Sequence, residues 1–150
     1  MIDHLWANVD KHGPAPDHRP DLGPCWTWTG YTSGFGYGRV KLRSGAQRTA
    51  NAHRVFYECL VGPIPDGLQL DHLCRVRNCV NPDHLEPVTQ RENVLRGVGL
   101  SAVNARKTHC SQGHPLSGDN LKIEVSGRRR CLACRREVDR RRDARRRRTA

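Results

Sequence analysis

The distribution of cysteine and histidine is the feature that most restricts how this chain can fold. The 150 residues include seven cysteines and eight histidines. Several cysteines are closely spaced, as Cys74 is to Cys79 and Cys131 is to Cys134. Such spacing in a chain without a secretion signal is typical of zinc sites rather than of disulfides. We therefore expect bound zinc to supply part of the folding free energy.

The composition supports this expectation, because the chain is poor in residues that build a core. Hydrophobic residues make up 36% of the sequence and aromatic residues 5%, whereas an average soluble domain is roughly 45–50% apolar with glycine included. No apolar run approaches the ~20 residues that cross a bilayer, and the N-terminus lacks the hydrophobic segment of a signal peptide. We expect neither a membrane protein nor a secreted precursor, and a cytoplasmic location.

Positive charge is concentrated near the C-terminus. The formal net charge is +11, and residues 128–148 hold 12 arginines against three acidic residues, a net of +9. Arginine displaces condensed counterions from phosphates irrespective of sequence, so the cluster indicates nucleic-acid contact. The alternative is a solubilising tail. In either case, like charges at this density should keep the isolated segment disordered.

Periodicity and turn residues predict a mixed α+β chain. We expect an N-terminal helix and proline-rich connector over 1–24, a core over 25–98, a linker over 99–108, a zinc unit over 109–137 and an arginine-rich tail over 138–150. In the core, Trp26 and Trp28 share one face of a strand, and a helix begins at His53. A short strand is predicted over 68–72, while Pro87 would break any helix that starts near residue 81. Thr89 and Glu92 form a capping box for a further helix that ends near residue 96.

A β-hairpin is predicted over residues 39–52, with its turn at residues 44 and 45. Alternation places Val40 and Leu42 on one face and three basic side chains on the other. These are Arg39, Lys41 and Arg43. A twisted ribbon with a basic face fits a DNA groove, but a solvated strand face shows the same alternation. The pattern alone leaves both interpretations open.

The segment DHLCRVRNCVNPDHLEPVTQREN, residues 71–93, combines two chemically different sets of ligands. Four soft donors suit tetrahedral zinc, with Cys25 at the start of the tryptophan strand as the natural candidate for the fourth ligand: Cys25, Cys74, Cys79 and His84. Asp71 and Asn93 instead offer hard oxygen atoms, which suit Mg²⁺ or Mn²⁺. His72 can act as a general base beside them, because the ordinary pKa of histidine lies near physiological pH. Oxygen ligands next to a base are the layout of metal-assisted phosphodiester hydrolysis, although a His-Asp pair is also common as a structural hydrogen bond.

This segment resembles the His-Cys box of homing endonucleases in the HNH, or ββα-metal (His-Me finger), superfamily, and that of related phage-borne HNH nucleases. The resemblance is carried by H-x-C-x4-C-x-N-P-x-H-L, from His72 to Leu85, followed by Asn93, and it extends over about half of the chain, from Cys25 to Gly97. It implies a small zinc-stabilised ββα-metal core, here with a β-hairpin and a C-terminal zinc knuckle.

The resemblance also implies an activity, namely divalent-metal-dependent hydrolysis of double-stranded DNA that leaves 5′-phosphate and 3′-hydroxyl ends. His72 would be the general base, Asp71 and Asn93 would hold catalytic Mg²⁺ or Mn²⁺, and Asn81 would brace the loop. An arginine near the scissile phosphate is a family feature, and the candidates are Arg48, Arg39 and Arg54. Phage or mobile-element origin fits this family. Whether the chain forms a homodimer, as double-strand cutters of the superfamily often do, stays open.

Two departures from the family pattern concern the ligands. Asp71 is carried over from HNH nucleases, since the His-Cys box pattern does not place an aspartate before the base. In the commonest HNH pattern, the last histidine binds the catalytic metal, which would reassign His84. We keep His84 on zinc because the three thiols otherwise lack a fourth ligand nearby.

A second zinc site is predicted in the C-terminal part of the chain. Its expected ligands are Cys110, His114, Cys131 and Cys134. His109 is the alternative nitrogen ligand, and Cys59 is left as a free core thiol. The knuckle could also direct Arg135 and Arg136 along DNA.

Two other functions remain open on the sequence. A non-catalytic zinc protein that binds DNA would share the scaffold, but it would not need Asp71, His72 and Asn93 together. An RNA-binding zinc protein would prefer single strands and would depend on aromatic stacking.

Overall fold

The computed structural model describes residues 2–42 and 49–148, and it divides the chain into two units, Met1–Asn93 and Val94–Ala150. Arg43 and Arg48, which the sequence assigns to DNA contact and to catalysis, lie outside the described residues, as does the predicted hairpin turn. Within the described residues, no helix is both long and apolar enough to cross a membrane.

The first unit is a mixed α+β domain of short elements, as predicted. In chain order it contains a 3₁₀ helix (Asp3–Asn8), β1 (Val9–Asp10), a 3₁₀ turn (Pro20–Leu22), β2 (Thr27–Trp28), β3 (Arg39–Lys41), β4 (Thr49–Asn51), α1 (Ala52–Leu60), β5 (Leu68–His72), a 3₁₀ turn (Pro82–His84), β6 (Leu85–Thr89) and α2 (Gln90–Arg96), whose last turn lies in the second unit. The strands pair antiparallel as β1–β2, β3–β4 and β5–β6.

The apolar core of this unit is built around aromatic rings. Phe56 of α1 is fully buried, and its ring centroid lies 4.9 Å from that of Trp6 and 6.3 Å from that of Trp28. Trp26 is partly buried and packs edge-on against Trp6 at 5.7 Å. Trp28 therefore belongs to the apolar core, and Trp26 packs against it. Edge-to-face pairs of this kind add to the stabilisation from burial alone.

The β3–β4 hairpin leads directly into α1. Val40 is buried and Lys41 is exposed, as the alternation predicts. Arg39 donates from Nη1 to Asn51 Oδ1 at 2.7 Å across the ribbon. The prediction that Cys59 is a core thiol is wrong. The buried part of α1 lies near the N-terminus of the helix, and the Cys59 side chain is exposed.

Strand β6 was not predicted from the sequence. It pairs with β5 in a register that sets Pro87 opposite Leu70. Pro87 obscures the alternation of apolar and polar residues that indicates a strand. Proline is excluded from central strands, but both strands of a two-stranded ribbon are edge strands, which tolerate it. The capping box is confirmed: Thr89 N donates to Glu92 Oε2 at 3.0 Å, and Glu92 N donates to Thr89 Oγ1 at 3.2 Å. The succession β5–β6–α2 is the ββα arrangement that the resemblance implies.

The second unit contains α3 (Leu100–Arg106), a 3₁₀ turn (Gly118–Asn120), β7 (Leu121–Ile123), β8 (Arg129–Cys131) and α4 (Leu132–Arg148). Residues 99–108, predicted as a linker, thus include a helix. The end of that helix is fixed by Arg129, whose Nη1 donates to the carbonyls of Asn104, Ala105 and Lys107 at 2.8–3.0 Å. A cation at the carbonyl end of a helix also complements the helix dipole.

Residues 138–148 of the arginine-rich tail are helical, whereas we expected disorder for the isolated segment and a helix only where its charge is neutralised. Arg135 pairs with Asp139 at 2.9 Å, and Glu137 pairs with Arg141 at 2.8 Å, each at i,i+4 spacing. These pairs offset part of the repulsion between the arginines. Strand β7 also departs from the pattern, since Ile123 is 64% exposed. The alternation of apolar and polar residues in β7 therefore indicates a strand but not a buried face.

Candidate metal centres and active site

The first cluster joins residues that are far apart in sequence. Its members are Cys25, Cys74, Cys79 and His84, all buried, and their ligand atoms all lie within 4.8 Å of one another. The fold brings them together because β2 docks on the loop that follows β5. Trp28 N donates to Asn78 O and Val80 N donates to Trp26 O, both at 2.8 Å.

The orientation of His84 fits a metal ligand. Its Nε2 lies 2.9 Å from the carbonyl oxygen of Leu22, and since a carbonyl only accepts, Nε2 carries the hydrogen. The lone pair of Nδ1 then faces the sulfur atoms of Cys25 and Cys79, each at 3.6 Å. Zinc bond lengths of about 2.0–2.3 Å in a tetrahedron require ligand separations of about 3.5–3.8 Å. The first cluster therefore has the donor set and spacing of a structural zinc site, and the Leu22 carbonyl fixes the tautomer of its histidine.

The thiols of this cluster strongly influence one another. Hydrogen bonding from Cys79 lowers the pKa of Cys74 to about 5. Burial, together with the negative charge of Cys74, raises the pKa of Cys25 to about 11. The contact with Cys74 and burial also raise the pKa of Cys79. Only one thiolate forms readily among these three groups, so a dication would relieve the repulsion that full ionisation creates.

Polar contacts tie the proline-rich connector to this cluster. Asn81 donates from Nδ2 to Pro24 O at 3.3 Å and accepts from Asp83 N at 3.1 Å. The Nε2 atom of His18 lies 3.0 Å from the carbonyl oxygen of Leu73. The amide of Asn81 thus contacts Pro24, the residue next to Cys25. The resemblance implies that Asn81 braces this loop.

The second cluster contains Cys110, His114, Cys131 and Cys134, whose ligand atoms also lie within 4.8 Å of one another. The Nδ1 atom of His114 is 3.6 Å from the sulfur of Cys110 and 3.3 Å from that of Cys134. His109, the alternative ligand, is not in the cluster and instead contacts Thr108 Oγ1 at 3.0 Å. The two Cys3His clusters can thus each hold a zinc ion.

Asn120 supports the second cluster in a way that the sequence does not indicate. Its Nδ2 donates to the sulfur of Cys131 at 3.3 Å, and its Oδ1 accepts from Ala133 N at 2.8 Å. One side chain therefore fixes a ligand and the first turn of α4. No local spacing pattern identifies such a residue.

His72 ends β5 and lies beside the first cluster without belonging to it. The residue is 7% exposed, and its Nε2 donates to the carbonyl of Cys79 at 3.1 Å. Its Nδ1 therefore carries the lone pair. Burial lowers the pKa of His72, although Cys74, the Cys79 carbonyl and Asp71 oppose that shift. A neutral, oriented imidazole is what a general base requires.

Two further rings surround His72. His53 lies edge-on to His72 with 4.7 Å between ring centroids, and Tyr37 lies 6.0 Å from His72 and 5.7 Å from His53. The Nδ1 atom of His53 is buried without a hydrogen-bond partner in the described part of the chain. Burial and the neighbouring His72 lower the pKa of His53 to about 3. The sequence predicts only the start of a helix at His53, and it gives no indication of Tyr37, which lies in a glycine-rich loop.

The predicted oxygen ligands contact different neighbours. Asp71 is buried, and its Oδ1 accepts from Arg75 Nη1 at 2.7 Å. Asn93 donates from Nδ2 to Gln69 Oε1 at 3.3 Å, which leaves its own Oδ1 available to a cation. Asp71 and Gln69 are two residues apart on β5, so they share a face of that strand. Asn93 of α2 therefore lies against the strand face that carries Asp71.

The basic residues near the site differ in whether their side chains bond to other parts of the protein. Arg39 is held by its own hairpin, and Arg54 pairs with Glu58 at 3.3 Å. Arg77, which the sequence did not single out, donates to the carbonyl of Phe35 at 2.9 Å. Lys41 is exposed.

Comparisons with known proteins match the central segment. The sequence profile described as HNH endonuclease matches residues 50–95. The "Uncharacterized gene 5.3 protein" of Enterobacteria phage T3 is 36% identical over 62 residues, 41% of this chain and 61% of that protein. Protein 7.7 of Escherichia phage T7 is 38% identical over 69 residues, 46% of this chain and 51% of that protein. Protein 2.8 of the same phage is 32% identical over 97 residues, 65% of this chain and 60% of that protein.

These similarities are partial. The matched part of the chain spans between about half and three fifths of the length of the three phage relatives. No solved structure matches this chain significantly.

Proposed function

We propose, from the match of residues 50–95 to the HNH endonuclease family, that the protein is a divalent-metal-dependent endonuclease that hydrolyses DNA phosphodiester bonds. The observation that carries the proposal is the geometry of His72. Its Nε2 is committed to the Cys79 carbonyl at 3.1 Å, so Nδ1 is the atom that accepts a proton. The same strand carries Asp71 next to His72, and its carboxylate is a hard oxygen donor that zinc chemistry does not need.

In the proposed reaction, His72 removes a proton from the attacking water. The Cys79 carbonyl fixes the ring during this step, and Cys79 belongs to the first cluster, so the zinc scaffold orients the base. His53 and Tyr37 pack around the ring and limit its rotation. The products we expect are a 5′-phosphate and a 3′-hydroxyl end.

Asp71 and Asn93 fit a catalytic Mg²⁺ or Mn²⁺ by the chemistry of their donors. A carboxylate and an amide oxygen are hard ligands that leave room for water and phosphate. When bound, such a cation would neutralise the charge that develops on the scissile phosphate. The bond from Arg75 holds the Asp71 side chain, and the bond to Gln69 orients the Asn93 amide.

The remaining assignments give the cofactors and the partner. Two zinc ions would be structural, one in each Cys3His cluster. Double-stranded DNA is the proposed substrate, and the net charge of +11 favours a polyanion. We propose Arg48 as the catalytic arginine near the scissile phosphate. The residues that we propose contact the DNA are Arg39, Lys41, Arg43, Arg135 and Arg136.

Plasmid nicking tests the activity. The zinc-loaded chain should convert supercoiled DNA to nicked or linear forms when Mg²⁺ or Mn²⁺ is added. In His72→Ala the rate should fall by about 10²–10⁴-fold, the usual contribution of a general base, while DNA affinity persists. His72→Asn serves as a second variant in case the smaller side chain disturbs the buried site.

DNA binding without cleavage under any divalent ion would instead indicate a zinc-containing binding protein. A preference for single-stranded RNA would indicate the RNA-binding alternative.

Asn93 offers a separate test of the metal ligands. We expect Asn93→Ala to fold with an unchanged melting temperature and to lose cleavage, because one of two oxygen ligands is removed. Gln90→Ala is the matched control, since Gln90 is an exposed residue of the same helix. Nicking rates at increasing Mn²⁺ concentrations measure the effect. Equal rates for the Asn93 and Gln90 variants would remove Asn93 from the metal site.

A further inference from the structure

The loop between β2 and β3 exposes two aromatic side chains, Tyr31 and Phe35, and Phe35 lies at its glycine-flanked tip. Phe35 is 78% exposed and lies between Gly34 and Gly36. A hydrogen bond from Gly36 N to Ser33 O at 2.8 Å closes a tight turn, and Gly36 has a φ of 81° that favours glycine. Because the flanking residues have no side chains, the ring of Phe35 has no neighbours on either side along the chain.

This loop is held firmly despite the exposure of its tip. Ser33 N donates to Tyr37 O at 2.8 Å, and Tyr37 N donates to Ser33 Oγ at 3.2 Å. Arg77 donates to the carbonyl of Phe35 at 2.9 Å, and its guanidinium carbon lies 5.7 Å from the Tyr37 ring. An apolar tip on a fixed loop loses little conformational freedom on binding, which is a property of a recognition element.

The tip lies close to the proposed catalytic base. Tyr37 contacts both His53 and His72, and Phe35 precedes Tyr37 by two residues. Even a fully extended chain advances only about 3.3 Å per residue, so the backbone of the tip lies no more than about 7 Å from that of Tyr37. Base pairs follow one another every 3.4 Å or so along a duplex. A DNA bound at His72 would therefore present several base steps within reach of Phe35.

We propose that Phe35 is an apolar wedge that inserts between adjacent base pairs of duplex DNA beside the scissile phosphate. The inference rests on the proposed nuclease function and adds the way in which the substrate is distorted. Apolar side chains presented by DNA-binding proteins unstack base steps and kink the duplex in this way. Arg77 at the base of the tip supplies positive charge, which favours a polyanion over an apolar peptide or a second copy of this basic chain.

Topology of closed circular DNA tests the wedge without cleavage. Relaxed plasmid is incubated with the zinc-loaded chain and a metal-independent type I topoisomerase, with neither Mg²⁺ nor Mn²⁺ added, and the DNA is then stripped of protein. Insertion between base pairs unwinds the duplex, so wild type should leave a shifted set of topoisomers. Phe35→Ala should lose most of that shift at equal DNA occupancy, while Phe35→Trp should keep it.

Val125→Ala is the matched control, because Val125 is a fully exposed apolar residue of the second unit. If Val125→Ala gives the same topoisomer shift as wild type, the loss of that shift in Phe35→Ala is specific to Phe35. Equal shifts for wild type and Phe35→Ala would overturn the wedge. Loss of self-association in Phe35→Ala, with unchanged unwinding, would overturn it in favour of a contact between copies.

Cleavage kinetics distinguish failure of the wedge from failure of the nuclease. With Mn²⁺, Phe35→Ala should nick perfect duplex about tenfold more slowly, in line with the stacking contribution of one aromatic residue. On a duplex with a mismatch bubble the bases are already unstacked, so the deficit should disappear. Normal nicking of duplex by Phe35→Ala would overturn the wedge and leave the nuclease intact, whereas no nicking by wild type would overturn the nuclease itself.

Discussion

His53 is a neutral histidine in a buried cluster of rings, and its titration should be visible in stability. Its pKa is about 3 in the folded chain and about 6.5 when unfolded. As the pH falls below 6.5, the unfolded state binds a proton that the folded state does not, so stability is lost on acidification. Between pH 7 and 5 this loss amounts to about 2 kcal/mol.

The variant His53→Gln isolates this contribution, because its side chain does not titrate. Urea unfolding at pH 7 and at pH 5 measures both proteins with the same metal clusters present. The free energy of unfolding of the variant should fall by about 2 kcal/mol less than that of wild type over this interval. If the free energy of unfolding falls equally in the two proteins, His53 has the same pKa in the folded and unfolded states, which contradicts the prediction.

Among individual residues, the sequence could predict those whose partners lie close by in the sequence. Cys74, Cys79 and His84 lie within eleven residues of one another, so their common site can be predicted. Tyr37 and Asn120 act on partners that only folding brings near, and no local pattern indicates them. Cys25 is an intermediate case, since it was found by the need for a fourth ligand.

The loop between β5 and β6 depends on its ligands more than on apolar packing. Removing one ligand by Cys79→Ser should release zinc from the first cluster. Structural zinc contributes about 10–16 kcal/mol in small domains, as much as the whole stability of a typical fold. We expect the variant to lose one of two zinc equivalents and the cooperative melting of the first unit.

The matched control is Cys59→Ser, because Cys59 is an exposed thiol on α1 outside both clusters. It should retain two zinc ions and the wild-type melting temperature. Metal content by emission spectroscopy and thermal melts provide the two measurements. A Cys79 variant with full zinc content and a wild-type melt would contradict the assignment of the first cluster.

Elements could be predicted where one local rule applied. The capping box of α2 and strand β5 follow from residues close together, and both are confirmed. Strand β6 was missed because Pro87 obscures its alternation and only pairing with β5 defines it. Helix α3 was missed because its C-terminal carbonyls are satisfied by Arg129, more than twenty residues away.

For the molecule as a whole, excess charge should determine how DNA binding responds to salt. Arg136, Arg142 and Arg147 of α4 have no ion pair within the described residues, so they are candidates for phosphate contact. Replacing all three with glutamine should reduce the slope of log affinity against log salt by up to about 2.7. Arg19→Gln is the control, because Arg19 pairs with Asp21. An unchanged slope would exclude these three residues from the interface.

The long sequence separation within the first cluster has a consequence for the order of folding. An ion bound there closes a chain segment of about sixty residues, from Cys25 to His84, and the entropy lost on closure grows with segment length. The complete ligand set is therefore available only once the chain has been synthesised as far as His84. Capture of the ion by all four ligands is coupled to the ordering of the first unit, because the binding free energy is also folding free energy.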